Sequence, residues 1–283
     1  MKITWQGAGT VLLESGAEKI MFDPFIQMPG GEHPTDLSVF AVPKNVFITN
    51  GRLAHLSSVP ELISTTDMLV HCDQDSATTL IKMGVSMKQI RSIHQGDIIP
   101  VGEMQIKPLK GKFVGFGPFM ILKTVVNPRI IKYSHNIPRW IKLHRKFSKC
   151  HNAFAYEVKV EGRVVLVLGS IALDERTNYP KDIDVLVLPY QGSGSLTRKG
   201  TNIIRKLKPK LVVLSHFDDS CPPISKSINP KKFRLRIKRR IPELQVITPC
   251  VGVPIDLSEE LKKLEDAKNV AVSEPKEGEE HEV

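Results

Sequence analysis

The sequence predicts an α/β (α+β) protein, because short strand patterns and helix patterns alternate along most of its length. The first observation is a β-meander at the start, where apolar segments within residues 2–22 are separated by glycine turns. The second is a set of short apolar runs that end in polar residues, such as residues 211–214 before Ser215. The third is that helix patterns at 73–83 and 196–207 each lie between two strand patterns.

The elements follow in order along the chain. The first half predicts strands at residues 2–5, 10–14, 19–22, 45–49 and 68–71, and then a helix with Asp73 as its N-cap. Two hairpins follow in the middle of the chain, at 98–107 and 154–168. The last part predicts strands at 185–188, 211–214 and 245–248, with helices at 196–207, near 230–240 and from residue 258.

Length and composition fit one large globular domain or two small ones, with 283 residues of which 41% are hydrophobic. The four cysteines are scattered without a Cys-x-x-Cys pair, which argues against a disulfide framework and a thiolate zinc site. The first residues show no signal-peptide pattern, and no apolar run approaches the roughly 20 residues of a spanning helix. We therefore expect a cytoplasmic protein or one peripheral to a membrane.

The net charge of +10 is unevenly distributed along the chain. No acidic residue lies between Met104 and Tyr156, a segment with eleven lysines and arginines, and residues 226–240 carry eight more. The end of the chain is rich in glutamate and poor in bulky apolar residues. It predicts a helix at 258–268 followed by a disordered acidic tail at 269–283.

Four sequence motifs follow one another along the chain, and most of them lie where a predicted strand ends. The opening from Ile3 to Glu14 leads to Phe22-Asp23-Pro24, and the strand at 45–49 leads into Thr-Asn-Gly-Arg-Leu-Ala-His-Leu at 49–56. Gly-Ser-Ile-Ala follows at 169–172, and Ser-His-Phe-Asp at 215–218. Together they resemble the metallo-β-lactamase superfamily, in particular its lactonase-like branch of metal-dependent hydrolases. The resemblance implies a four-layer αββα sandwich of two mixed β-sheets with flanking helices over residues 1–257, with an insertion at about 113–152.

The resemblance also implies a two-zinc site, but most ligand positions hold other residues. The family's Thr-His-x-His-x-Asp-His-Leu loop corresponds to a segment that keeps only its last histidine, His55, and the late ligand His216 is also kept. The ligand positions that have changed are Asn50, Arg52, Ala54 and Ser170. Zinc sites in hydrolases use about three protein ligands per ion, so we expect a degraded site, no assignable catalytic residue and no cofactor. The alternative is one weakly bound divalent metal, zinc, on His55 and His216.

Arg52 would place a permanent positive charge where a metal ion sits in the family. One interpretation is that Arg52 replaces the metal by pairing with Asp23 or Asp218. The other is that Arg52 extends from its loop into solvent, as most arginines do.

Two functions remain open at this point. The first is a non-catalytic binding or regulatory protein that keeps the pocket and takes an anionic partner. The second is a metal-dependent hydrolase with an altered or mononuclear site on His55, His216 and Asp218, acting on an ester, lactone or phosphoester. Whether the chain is an enzyme is not decided by the sequence.

The insertion mixes apolar residues with cations, a pattern typical of an element that lies on an anionic surface. The anion-binding candidates are Arg139, Lys142, Arg145 and Lys146. An acidic membrane surface, RNA or an anionic small molecule would suit them. The alternative is an amphipathic insertion packed on its own domain with its charges in water.

Overall fold

The computed structural model describes residues 1–114, 127–147 and 152–273. The first sheet has seven strands. Six of them lie in the first part of the chain, and the seventh, β14 (Pro254–Asp256), lies near the end of the described chain. The six are β1 (Lys2–Trp5), β2 (Val11–Ser15), β3 (Glu18–Phe22), β4 (Asn45–Phe47), β5 (Leu69–Cys72) and β6 (Ile90–Ser92). Their order is β14-β1-β2-β3-β4-β5-β6. The sheet is mixed, because β14 to β3 pair antiparallel and β3 to β6 pair parallel.

The second sheet also has seven strands, in the order β13-β12-β11-β10-β9-β8-β7. They are β7 (Ile99–Val101), β8 (Met104–Lys110), β9 (Phe154–Val160), β10 (Arg163–Leu168), β11 (Val185–Pro189), β12 (Leu211–Ser215) and β13 (Gln245–Ile247). The two predicted hairpins form its antiparallel half, β7 to β10. The parallel half, β10 to β13, carries the buried apolar runs that the sequence places there.

Helices lie outside both sheets. On the first sheet they are α1 (Leu53–Leu56), α2 (Val59–Ile63) and α3 (Gln74–Lys82), and the insertion contributes α4 (Arg129–Lys132) and α5 (Ile137–Phe147). On the second sheet they are α6 (Leu196–Leu207) and α7 (Lys231–Arg240), and α8 (Leu257–Ser273) ends the described chain. Asp73 caps α3 by accepting from the amides of Asp75 and Ser76, as predicted.

Three buried apolar clusters hold these layers together. The central one joins residues of both sheets, such as Phe22 and Phe47 of the first with Tyr156 and Val187 of the second. The other two lie between each sheet and its own helices. The expected αββα sandwich with two mixed sheets is therefore confirmed.

One predicted boundary is wrong. Helix α8 continues through Ser273, so residues 269–273 are helical rather than the start of a tail. Residues 274–283 of the expected tail lie outside the described residues, as do 115–126 and 148–151 of the insertion. No helix in the described ranges is long and apolar enough to cross a membrane.

Candidate functional site

Four loops from one end of the sandwich meet at the residues that the sequence singled out. A Cβ atom placed on Gly9 would lie 3.6 Å from His55 Cε1, which brings the loop after β1 to the helix after β4. A Cβ atom on Gly169, after β10, would lie 2.3 Å from Thr49 Oγ1. His216, after β12, donates its backbone N–H to Ala8 O over 2.7 Å. The motifs are thus adjacent in space because these strands end at the same edge.

Asp23, Thr49 and His55 form a buried hydrogen-bonded cluster. Asp23 Oδ1 accepts the Thr49 backbone N–H at 2.7 Å, and Oδ2 accepts the Thr49 hydroxyl at 2.5 Å. His55 Nδ1 lies 2.7 Å from Asp23 Oδ2. Since a carboxylate only accepts, this bond places a proton on His55 Nδ1 and leaves Nε2 outside the bond.

His216 lies beside this cluster, but among the described residues its Nδ1 is not held by a carboxylate as that of His55 is. Its ring centroid is 5.7 Å from that of His55, and its backbone has a φ of 53°, in the left-handed region. Its Nδ1 is buried and has no hydrogen-bond partner among the described residues. Burial, together with the charge of His55, lowers the pKa of His216 to about 3. The ring is therefore neutral at physiological pH.

Asp218 holds the turn after β1 in place. Both carboxylate oxygens accept from the Ala8 backbone N–H, at 3.1 and 3.0 Å, and Oδ2 also accepts from Gln27 Nε2 at 2.8 Å. Burial raises the pKa of Asp218 above the usual range of aspartate. The carboxylate is thus engaged in structural bonds.

Arg52 behaves in neither of the two expected ways. No ion pair joins it to Asp23 or Asp218, whose oxygens bind the partners given above, so the predicted pairing is wrong. Its side chain is half-buried rather than extended into solvent. The guanidinium carbon lies 4.5 Å from the centroid of the Phe113 ring, and Nε is buried without a hydrogen-bond partner in the described structure. A buried donor with no acceptor is left in the loop.

The other changed ligand positions make local contacts. Asn50 is buried and accepts the Arg52 backbone N–H on Oδ1 at 3.1 Å, while Ala54 lies half-buried on α1. The Ser170 hydroxyl donates to the backbone oxygen of Lys112. Lys112 is exposed, and its Nζ lies 3.2 Å from Glu175 Oε1.

These residues do not fit a two-zinc centre. Across the described ranges, no group of three or more histidine, cysteine, aspartate or glutamate side chains could hold a metal ion. His55 Nε2 and the ring of His216 supply two nitrogen donors, and Asp23 and Asp218 are occupied elsewhere. Two donors fall short of the three protein ligands that a catalytic zinc ion uses.

The described part of the insertion packs on its own domain. Phe147 is buried, and Trp140 and Leu143 pack against clusters that include Leu53 and Leu56 of α1. The anion-binding candidates Arg139, Lys142, Arg145 and Lys146 are exposed on the outer side of α5. Trp140, Leu143 and Phe147 therefore anchor the insertion, and the binding of an anion by its cations stays a prediction.

Sequence reasoning missed three residues that shape the site. Thr49 links Asp23 to His55, Gln27 secures Asp218, and Phe113 faces Arg52. The position of Thr49 directly before the changed loop could have indicated its role. Gln27 and Phe113 come from a loop and an insertion, and nothing in their local patterns indicates their contacts.

Comparison with known proteins agrees with this fold. No family model matches the chain. The UPF0173 metal-dependent hydrolase of Anoxybacillus flavithermus is 28% identical over 223 residues, which cover 77% of this chain and 86% of that protein.

Solved structures are similar over most of the chain. They include Igni18, a metallo hydrolase of Ignicoccus hospitalis (TM-score 0.59, 16% identity), and the isothiocyanate hydrolase from Delia radicum gut bacteria (TM-score 0.60, 14% identity). The metallo-β-lactamase-fold protein YhfI of Bacillus subtilis gives a TM-score of 0.59 at 11% identity. Each alignment covers 90% of this chain and 98% of the other. The two-sheet architecture and these similarities show that the chain has the metallo-β-lactamase fold.

Proposed function

We propose that this protein uses the pocket of the metallo-β-lactamase fold without a two-zinc centre, as a binding or regulatory protein for a small anionic ligand. The observation that carries the proposal is Arg52, which stands at a metal-ligand position of the family. Its guanidinium brings a fixed positive charge, and its buried Nε lacks an acceptor among the described residues. An anion that accepts from this group would satisfy the donor.

The neighbouring residues favour the same interpretation. Asn50 and Ala54 offer no anionic ligand beside Arg52, and Ser170 replaces the family's bridging aspartate. A carboxylate or phosphate that enters this pocket would therefore meet the cation of Arg52 and the neutral imidazole of His216. The changed ligand positions contribute no carboxylate that would repel it. Arginine suits such oxyanions because its donors form a planar fork.

The first test is the metal content of the full-length protein, purified without chelators and then incubated with zinc. We expect far less than one zinc ion per chain by elemental analysis, because two histidine nitrogens hold zinc weakly. Tightly bound zinc at one ion per chain would overturn the proposal.

The second test measures ligand binding directly. Inorganic phosphate and small carboxylates should raise the melting temperature of the natural chain, since a ligand of the folded state stabilises it. The Arg52→Gln variant should lose this shift and Arg52→Lys should keep part of it. An unchanged shift in Arg52→Gln would place the anion elsewhere.

The second candidate is a metal-dependent hydrolase with an altered or mononuclear site acting on an ester, lactone or phosphoester. His55 favours it, because Asp23 fixes its Nδ1 and leaves Nε2 available, and the unpartnered His216 ring lies beside it. The Anoxybacillus relative is itself named a metal-dependent hydrolase. Hydrolysis that requires added metal and is lost in both His55→Ala and His216→Ala would favour this candidate.

A gain-of-function variant separates the two candidates further. Restoring Asn50→His, Arg52→His, Ala54→Asp and Ser170→Asp together returns four of the family's ligands to a frame that Asp23 and Thr49 hold in place. We expect measurable zinc binding in this variant and very little in the natural chain. Equal zinc binding in both proteins would mean that the natural site already holds the metal.

A further inference from the structure

Helix α7 is held to the domain by only two of its ten residues. Phe233 and Ile237, four residues apart, are buried against the outer face of the second sheet. The other eight residues are exposed, and seven of these are cations. The cations are Lys231, Lys232, Arg234, Arg236, Lys238, Arg239 and Arg240.

These charges lack partners within the described protein. None of the ion pairs found among residues 1–114, 127–147 and 152–273 involves a cation of α7. Elsewhere cations are matched, as where Arg163 and Lys210 share the carboxylate of Asp184. Like charges repel along a helix, so this row is unfavourable unless an outside anion neutralises it.

A groove runs beside α7, and some of these cations line it. Its volume is about 760 Å³, and Lys231, Arg234 and Lys238 line it at the spacing of one helix face. Leu235, which is exposed, and Leu264, which is half-buried, give the groove apolar surface, and Glu243 is an acidic lining residue. Thr248, also in the lining, has a buried hydroxyl without a hydrogen-bond partner in the described structure. The groove thus combines a cationic wall with apolar surface.

We propose that this groove binds the phosphate backbone of a single-stranded nucleic acid. Residues 231 and 238 are about 10 Å apart along the helix axis, at 1.5 Å per residue, which matches about three nucleotides of a stacked strand. The apolar surface beside the cations receives the bases of such a strand. A duplex keeps its bases stacked inside and would leave this surface unused. The inference rests on α7 and its groove alone and is independent of the function proposed for the pocket around Arg52.

A lipid surface fits this helix less well. Helices that lie on membranes insert bulky apolar or aromatic side chains, with cations on the opposite face. Here Phe233 and Ile237 are buried in the protein core. The large apolar residue exposed on α7 is Leu235, whose exposed fraction is 47%. The outer surface of α7 is therefore densely cationic and offers little apolar surface for insertion into a membrane.

The test uses the full-length protein and a fluorescently labelled 20-nucleotide oligouridine, with binding followed by anisotropy at several salt concentrations. Three neutralised phosphates predict a slope of log K against log salt of about −2, at about −0.7 per phosphate in a single strand. The variant Lys231→Glu, Arg234→Glu, Lys238→Glu should bind at least about ten-fold more weakly and show a shallower slope.

A matched control lies on the same helix. Lys232→Glu, Arg236→Glu, Arg239→Glu changes the net charge by the same amount at residues that do not line the groove. We expect this variant to lose no more than about three-fold in affinity, because general attraction is screened by salt. Both variants keep Phe233 and Ile237, and equal melting temperatures would establish that α7 remains folded.

Several results would overturn the proposal. Equal losses in the two variants would reduce the binding to general attraction by the net charge. Affinity no tighter than about 100 µM, the weak end of non-specific binding, would leave no site to assign. Tighter binding of an RNA duplex, or of phosphatidylserine vesicles, with the same dependence on the groove would assign the surface to that partner instead.

Discussion

The two halves of the pocket differ in how their polar groups are satisfied. Around Asp23, the Thr49 backbone N–H, the Thr49 hydroxyl and His55 Nδ1 each lie within 2.7 Å of a carboxylate oxygen, so the carboxylate accepts three bonds. In the other half, Arg52 Nε and His216 Nδ1 are buried without partners in the described structure. The polar groups of the first half are satisfied within the fold, whereas the second half keeps two buried nitrogen atoms without a partner among the described residues. The difference teaches that the carboxylate of Asp23 has a structural role of its own, since three bonds within the fold depend on it.

The largest expected effect is the loss of the satisfied half. Asp23→Ala removes the acceptor of Thr49 and His55 at once and leaves their donors buried. An unsatisfied buried donor costs about 1–3 kcal/mol, and three donors lose their acceptor here, so we expect a loss of about 3–5 kcal/mol in the free energy of unfolding. Urea denaturation measures it.

The conservative change Asp23→Asn is the control, because it keeps one acceptor. It should lose clearly less stability than Asp23→Ala. If Asp23→Ala cost under about 1 kcal/mol, the size of an ordinary hydrogen bond, the cluster would not be the frame we describe.

The comparison also shows what the sequence could reveal. The strands and the four motifs are predictable because they depend on local apolar patterns and turn residues. The bond between Thr49 and Asp23 follows from the pairing of β3 with β4, which brings the residues after the two strands together. The direction of Arg52 depends on Phe113, sixty-one residues away, and no local pattern encodes it.

Two other features were beyond sequence reasoning. The helical residues 269–273 look like a tail because their neighbours are glutamates, yet α8 carries its helical hydrogen bonding through Ser273. The groove beside α7 is formed by residues from α7, β13 and α8, so only the fold brings its cations and its apolar surface together.

A second prediction concerns His71, a buried histidine that resembles His216 in having an unpartnered Nδ1. Burial and the charge of Arg91 lower the pKa of His71 to about 4, against 6.5 for a free histidine. Between pH 6.5 and 4, His71 is therefore protonated in the unfolded chain and neutral in the folded chain. Stability should fall as the pH falls from 6.5 to 4, by on the order of 3 kcal/mol from this residue.

His71→Phe keeps a ring stacked against Phe47, which now lies 4.4 Å from the imidazole, and removes the titration. Its unfolding free energy should vary less with pH between 4 and 6.5 than that of the natural chain, when both are measured by urea denaturation. Parallel pH profiles for the two proteins would show that His71 does not contribute.

A third prediction tests Asp218, which belongs to the satisfied part of the site. Asp218→Ala leaves the Ala8 backbone N–H buried without an acceptor, and Ala8 itself is fully buried. An unsatisfied buried donor costs about 1–3 kcal/mol, so we expect a loss near 2 kcal/mol in thermal or chemical unfolding. Asp218→Asn retains an acceptor for Ala8 and should recover part of the loss, and identical losses in the two variants would contradict this account.

The smallest expected effect falls on Arg52. Arg52→Leu keeps an apolar stem beside Phe113 and removes a buried donor that has no acceptor in the described structure. The lost contact between the guanidinium and the ring is worth about 0.5–1 kcal/mol, and relief of the unsatisfied donor offsets it. We therefore expect the unfolding free energy to change by less than about 0.5 kcal/mol, as for substitutions that break no bond. A loss above about 2 kcal/mol would mean that Arg52 stabilises the fold through bonds of its own. In that case its charge would serve the structure, and the contrast between the two halves of the pocket would fail.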